Sequence, residues 1–324
     1  MNLFDLREEI IMISKTSWNG EQAVLLSSDT SSAVILPKRG GKIASFYNKK
    51  KNFEFLFQNP KSGYTDAAIG DSFEDFEACG FDDAFPTLIP ETVMIDGNPV
   101  HYPDHGEIWS APFDLTMHGE KAILNYQSNL LGYTYQKQFQ LSDQTLHGSW
   151  RIENQSDIAF PYLWAFHCLS VYRKNMQILF PKGTEKIMNG LHSKRLGNPG
   201  AIYTFPEDTP FGIGYDFTRV PQPESESYEK YFVWGKVREG RIGYRFPDEQ
   251  TAIQIQYDPQ IFPYLGFWVT AGGFRGDYNC ALEPMTSFYD SVANAEKSAT
   301  LRFLNPGESI HFDIDITFLD TEND

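Results

Sequence analysis

Cysteine is scarce: three residues, Cys79, Cys168 and Cys280, are scattered through a chain of 324. This excludes a disulfide framework or a zinc knuckle, which need closely spaced thiols, and fits a reducing compartment. No apolar run approaches the roughly 20 residues of a membrane-spanning helix. The opening segment carries Asp5, Glu8 and Glu9 where a secretory signal needs net positive charge, and its apolar stretch over residues 10–13 is short. Positive charge is also in deficit, with 27 Lys and Arg against 43 Asp and Glu, a net charge of −16. Such a surface repels phosphate backbones and anionic lipid, so neither nucleic acid nor membrane is an expected partner. The local basic groups, Lys38, Arg39 and Lys42, then Lys49, Lys50 and Lys51, lie among Gly40, Gly41 and Asn48 and read as solvated turns. The expectation is a soluble, cytoplasmic protein.

Long helical periodicity is missing too; "SFEDFEACGF" is room for one turn or a short helix. What the chain has instead is alternation. In "SIHFDIDITF" the residues Ile310, Phe312, Ile314, Ile316 and Phe318 alternate with His311, Asp313, Asp315 and Thr317, the period of a half-buried strand. "LGYTYQKQFQLS" repeats it with Tyr133, Tyr135, Phe139 and Leu141. "TAIQIQYDP" contributes Ile253, Ile255 and Tyr257, and "TLHGSWRIEN" contributes Leu146, Trp150 and Ile152. Turn signals such as Asp96-Gly97, Glu239-Gly240 and Pro306-Gly307 separate the runs. The expected fold class is all-β, a large antiparallel β-sandwich with few short helices. No repeat and no low-complexity linker divides it, so residues 1–324 are expected to form a single domain. Aromatic residues make up 15% of the chain, and any single ring is expected to fill the core before it lines a sugar site.

Three stretches carry chemistry. "HYPDHGEIWSAPF" holds His101 and His105, four apart, a metal-binding spacing on a helix. Pro103 between them disfavours the helix, and on a strand they stand about 13 Å apart, too far for one metal. No metal is expected. "YLWAFHCLSV" places His167 in an apolar run, where a lone histidine is more often structural. Cys168 beside it points to the opposite face of a strand and cannot pair with it. "NCALEPMTSF" places Glu283 among apolar neighbours, where desolvation lifts a carboxyl toward the range of a useful base. The bland alternative for Glu283 is a paired or solvent-facing carboxylate at a strand end. "TAGGFRGDYN" lacks the Gly-Lys-Ser/Thr of a phosphate loop.

Taken in order, "DHGEIW", "PYLWAFHCL" and "ALEPMTS" resemble the aldose 1-epimerase, or galactose mutarotase-like, family. "RGGKIASFYNKKKNFEFLF", "GFDDAFPTLIPE", "FPYLGFWVTAGG" and "LNPGESIHFDIDITF" extend the resemblance along most of the chain, while residues 174–229 match poorly. The resemblance implies a galactose mutarotase-like supersandwich with the sugar in an open cleft. It also implies interconversion of the α and β anomers of a free aldose without metal, nucleotide or other cofactor. Glu283 matches the family's base, His167 its acid, and His105 its second, sugar-binding histidine. Two gripping positions depart from the pattern. An arginine expected before the first histidine is absent from "FEACGFDDAFP", which offers Asp82 and Asp83, and an expected aspartate falls near "YEKYFVWG", with Glu229 and Lys230. Asp82, Lys230, Trp109 as a sugar platform, and Arg275 complete the expected substrate-binding set, and galactose itself is in question.

The expected partner is a small-molecule carbohydrate, with a homodimer left open. Two other functions stay open: a catalytically idle sugar-binding or sensor protein on the same fold, and a glycoside hydrolase or lyase pairing Glu283 with Glu107 or Asp82.

Overall fold

The computed structural model describes residues 11–321; residues 5–10 of the opening segment lie outside them. Among the described residues, thirteen strands form one sheet and eight a second. The alternating segments read from the sequence build the smaller sheet, where Thr251–Tyr257, Ser309–Asp320, Thr145–Asn154 and Tyr133–Ser142 are successive antiparallel neighbours. Phe312, Ile314, Ile316 and Phe318 are buried as their parity requires. They meet the larger sheet through ring contacts, with Phe318 on Phe46 at 4.4 Å between centroids. Trp150, beside Phe312 in the smaller sheet, meets Phe81 of the larger at 6.1 Å. The expected antiparallel β-sandwich is the observed architecture. Its helices are short: the 3-10 turn Phe73–Asp75 falls within "SFEDFEACGF", and Val292–Lys297 is a single α-helix capped by Ser291, whose side chain accepts from Asn294 N. No helix of the described residues is long and apolar enough to cross a membrane.

The larger sheet lacks alternation where it matters most. Its central neighbours are Phe81–Ala84, Ala165–Cys168, Tyr278–Met285, Tyr264–Ala271 and Ser227–Val233. Every residue of Phe81–Ala84 and Ala165–Cys168 is buried. One face packs on the smaller sheet and the other lies beneath long loops, so both parities are excluded from water and the sequence shows continuous runs instead.

Two buried ion pairs leave this sheet from adjacent residues. Asp83 points between the sheets, where it receives Lys137 Nζ and the Tyr135 hydroxyl from the smaller sheet. Trp164 Nε1 donates in turn to Tyr135 at 2.6 Å, and Lys137 also reaches the Gly40 carbonyl at 2.5 Å. Lys137 occupies an inward parity within "YTYQKQFQLS" and is 1% exposed, a position the alternation alone would reserve for an apolar side chain. Asp82 points the other way and pairs with Lys42. The reading of Lys42 as part of a solvated turn is thereby corrected. Lys42 is buried, with Asp82 and the Cys79 carbonyl satisfying its ammonium.

Removing one member of a buried pair strands the other charge, at a cost of about 3–5 kcal/mol. Asp83→Ala should therefore lower the urea denaturation midpoint strongly. The double replacement of Asp83→Asn with Lys137→Met should cost less than Asp83→Ala alone, because it leaves no unpaired charge and keeps an acceptor for Tyr135.

Candidate active site

His167, Glu283 and Lys230 all stand on the central strands of the larger sheet. They project from the face opposite the sandwich core into a cleft of about 320 Å³. A volume of this order suits a monosaccharide-sized ligand. Glu283 and Lys230 are not on neighbouring strands: Tyr264–Ala271 runs between them. Gly266, the register partner of Glu283 on that strand, makes the crossing possible. A Cβ there would stand 3.1 Å from Glu283 Oε2 and 3.2 Å from the Phe232 ring. With hydrogen in its place, Glu283 reaches over the strand and accepts from Lys230 Nζ. Asp290, from the loop before Val292–Lys297, brings a second carboxylate, its Oδ1 3.7 Å from the same ammonium. Leu88 N and Ile89 N both donate to the Asp290 carbonyl and hold that loop in place.

His105 arrives from a loop rather than a strand. Its backbone is in the left-handed region, φ 56°, and Gly106 follows at φ 74°. This double turn is pinned by His105 N donating to Leu88 O at 2.9 Å and Glu107 N donating to Phe85 O at 3.1 Å. The ring stacks on Phe73 at 4.1 Å between centroids. Its Nδ1 donates to Asp104 Oδ1 at 2.8 Å, since a carboxylate only accepts. The two histidine rings meet edge to face, 5.0 Å between centroids. The sequence therefore named three residues from distant segments, His105, His167 and Glu283, that the fold brings to one cleft.

The electrostatics follow from burial. Burial first, then the neighbouring His105 and Lys230, pushes His167 well below the ordinary imidazole value, so it rests neutral. Its Nδ1 has no hydrogen-bond partner. Burial pushes the Glu283 carboxyl up against the opposing pull of Lys230. Asp290 is raised for the same reason, against Lys230 and His105. Burial alone would lower Lys230, but Asp290 and Glu283 outweigh it and the net shift is upward. One ammonium thus faces two buried carboxyls, and the group is neutral when those two share a single proton. Burial would also raise Asp104, yet its hydrogen bond and charge contact with His105 hold it below the usual carboxylate range.

Other expected residues lie elsewhere. Asp82 is the register partner of His167 and shares its face, but Lys42 draws its carboxylate away from the cleft, so it does not line the site. Trp109 is buried behind the wall. Its Nε1 donates to Asp104 O at 2.9 Å and its ring meets the edge of Phe73, so it supports His105 instead of offering a platform. Arg275 ties its own turn to the body by donating to Phe76 O at 2.7 Å, outside the cleft lining. Glu107 is enclosed by Ser128, Tyr126 and Tyr133, whose hydroxyls donate to it at 2.7, 3.1 and 2.8 Å. Neither Glu107 nor Asp82 can serve as a second carboxylate beside Glu283. Glu229 is fully buried in a bidentate pair with Arg195 at 2.8 and 2.9 Å, anchoring the loop that carries Leu191 to the cleft.

Asp290 and Trp268 went unnoticed in the sequence. Trp268 is the register partner of Lys230, so strand parity alone places it on the cleft face. It forms an aromatic wall with Tyr228 and Phe274, at 5.9 and 5.4 Å. Asp290 lies in an irregular segment with no period to betray it. Among the described residues, no group of three or more His, Cys, Asp or Glu has the arrangement to hold a metal ion.

No protein-family model matches the chain, and no curated protein does. Solved structures match in fold. A galactose mutarotase-like protein from Lactobacillus casei superimposes with a TM-score of 0.68 at 13% identity, over 92% of this chain and 100% of that one. A galactose mutarotase-like protein from Clostridium acetobutylicum gives 0.65 at 14% identity, over 96% and 99%. A galactose mutarotase related enzyme from Lactobacillus acidophilus gives 0.65 at 13%, over 97% and 99%. The chain has the galactose mutarotase-like β-sandwich fold.

The turn carrying His105 leaves no room for change. A Cβ on Gly106 would lie 1.8 Å from Phe85 O, on a backbone at φ 74° that side chains resist. Gly106→Ala should cost more than about 1 kcal/mol, read as a lower midpoint in scanning calorimetry.

Proposed function

We propose that the protein is a cofactor-independent aldose 1-epimerase, interconverting the anomers of a free, uncharged sugar. The convergence of Glu283 and His167 on one cleft, with His105 beside them, carries this reading. Anomer exchange needs an acid and a base on either side of the anomeric centre. One group removes the proton from the anomeric hydroxyl. The C1–ring-oxygen bond breaks, its electron pair goes to the ring oxygen, and the other group protonates that oxygen. After rotation about C1–C2 the same steps run backward, so both groups return to their starting states and nothing is oxidised or reduced.

The pair holds one proton in its working form. Burial raises the Glu283 carboxyl and lowers His167, so both shifts move the shared proton toward the carboxyl side of the cleft. The Glu283-base, His167-acid assignment implied by the family resemblance is the same pair with the proton moved across. Since the reaction runs in both directions, each residue serves in both roles. The aromatic wall of Trp268, Tyr228 and Phe274 suits the apolar face of a pyranose. The acidic lining, Glu74, Asp104, Asp277, Glu283 and Asp290 against Lys230, disfavours a phosphorylated one.

Glu283→Gln should slow anomerisation of the best hexose by roughly 10²- to 10⁴-fold, measured by polarimetry or saturation-transfer NMR. An unchanged rate would refute the assignment. Sugar binding without any acceleration in the wild-type protein would instead favour an idle binding protein on this fold.

The pH profile of kcat/KM should be bell-shaped. At low pH both groups are protonated and no base remains; at high pH neither is and no acid remains. Because the His167 pKa is depressed, the acid limb should have its midpoint below the imidazole's ordinary 6.5. A midpoint at or above that value would contradict the buried, neutral histidine.

A further inference from the structure

Asp290 and Lys230 leave an unmatched acceptor and an unmatched donor facing each other across the cleft wall. Asp290 is 7% exposed, and its Oδ1 has no hydrogen-bond partner. Lys230 is 5% exposed, and its ammonium carries three donors, of which one goes to Glu283 Oε2. The 3.7 Å between Lys230 Nζ and Asp290 Oδ1 is too long for a hydrogen bond between them. Both groups line the cleft. Buried donors and acceptors left unmatched are costly, so the arrangement favours a ligand group that donates and accepts at once.

We propose that Asp290 and Lys230 together read the sugar hydroxyl on the carbon next to the anomeric centre. The inference rests on the epimerase reading of the same cleft, and it deepens that reading by naming a specificity determinant. A hydroxyl donates to Asp290 and accepts from Lys230, satisfying both. A carbonyl would satisfy only Lys230. A carboxylate or phosphate would meet the charge of Asp290, and an ammonium that of Lys230. The position follows from Lys230, which holds Glu283 directly. If Glu283 handles the proton on the anomeric oxygen, the group beside Lys230 and Asp290 is the neighbouring hydroxyl. Asp290 is then a sugar-binding residue that also shares the Lys230 ammonium with Glu283.

The test compares D-glucose and D-galactose, each against its 2-deoxy analogue, by calorimetric binding and by NMR anomerisation. Wild-type protein should bind or turn over at least one hexose at least about tenfold better than its 2-deoxy partner, since the analogue strands both groups. Asp290→Ala, which removes the carboxylate acceptor and leaves the backbone contacts to Leu88 and Ile89, should bring that ratio to within about threefold. The loss should appear in the affinity for the 2-hydroxy sugar, with the affinity for its 2-deoxy analogue little changed. A wild-type protein that does not discriminate would overturn the proposal without any variant, and so would a ratio unchanged in Asp290→Ala. Discrimination in binding that Asp290→Ala abolishes, without anomerisation in the wild type, would support the hydroxyl site and refute the enzyme. Anomerisation with an unchanged ratio would do the reverse, and no binding of any of the four sugars would overturn both.

Discussion

A single ammonium between two buried carboxyls organises the cleft. Lys230 is taken out of water on a central strand, and a lone buried cation would be prohibitive. Glu283 crosses a whole strand to meet it, and Asp290 is brought in from a loop. Gly266 is the space this crossing needs. Two carboxyls against one ammonium cannot both be ionised cheaply, so burial raises the affinity of both for a proton. His167, close by and without a compensating carboxylate of its own, stays neutral for the complementary reason.

The same logic holds the two sheets together. Asp83 and Lys137 join them through a pair that water does not reach, while Asp82 and Lys42 pair on the opposite face. Adjacent residues of one strand thus serve two layers. The Asp82–Lys42 pair keeps a further carboxylate turned away from His167, while Glu283 and Asp290 gather around Lys230 and Asp104 orients His105.

Much of the fold was legible in the sequence because the smaller sheet has one wet face. Ile310 to Phe318 alternate cleanly for that reason, and the sandwich follows. The central strands of the larger sheet were less legible, since loops and core exclude water from both faces and remove the alternation. Lys137 shows the limit: a charge at an inward position makes sense only once Asp83 from the other sheet is seen. The candidate site was legible where short motifs carry it, at His105, His167 and Glu283, which the fold brings to one cleft. Lys230 was found as a position, but its contact with Glu283 depends on a register across two strand boundaries. Asp290 sits in an irregular loop, and nothing periodic marks it. Asp82, Trp109 and Arg275 were drawn toward the sugar because proximity in sequence to the motifs says nothing about which partner claims a side chain. Lys42, Asp104 and Phe76 claim them here.

The proposed reaction requires the anomeric centre to lie between Glu283 and His167. A crystal structure of the Glu283→Gln protein soaked with a hexose tests this directly. The anomeric oxygen and the ring oxygen should lie within hydrogen-bond reach, about 2.6–3.2 Å, of residue 283 and His167, with the pyranose against Trp268. A sugar bound in the cleft with its reducing end turned away from both residues, or bound on another face of the sandwich, would contradict it.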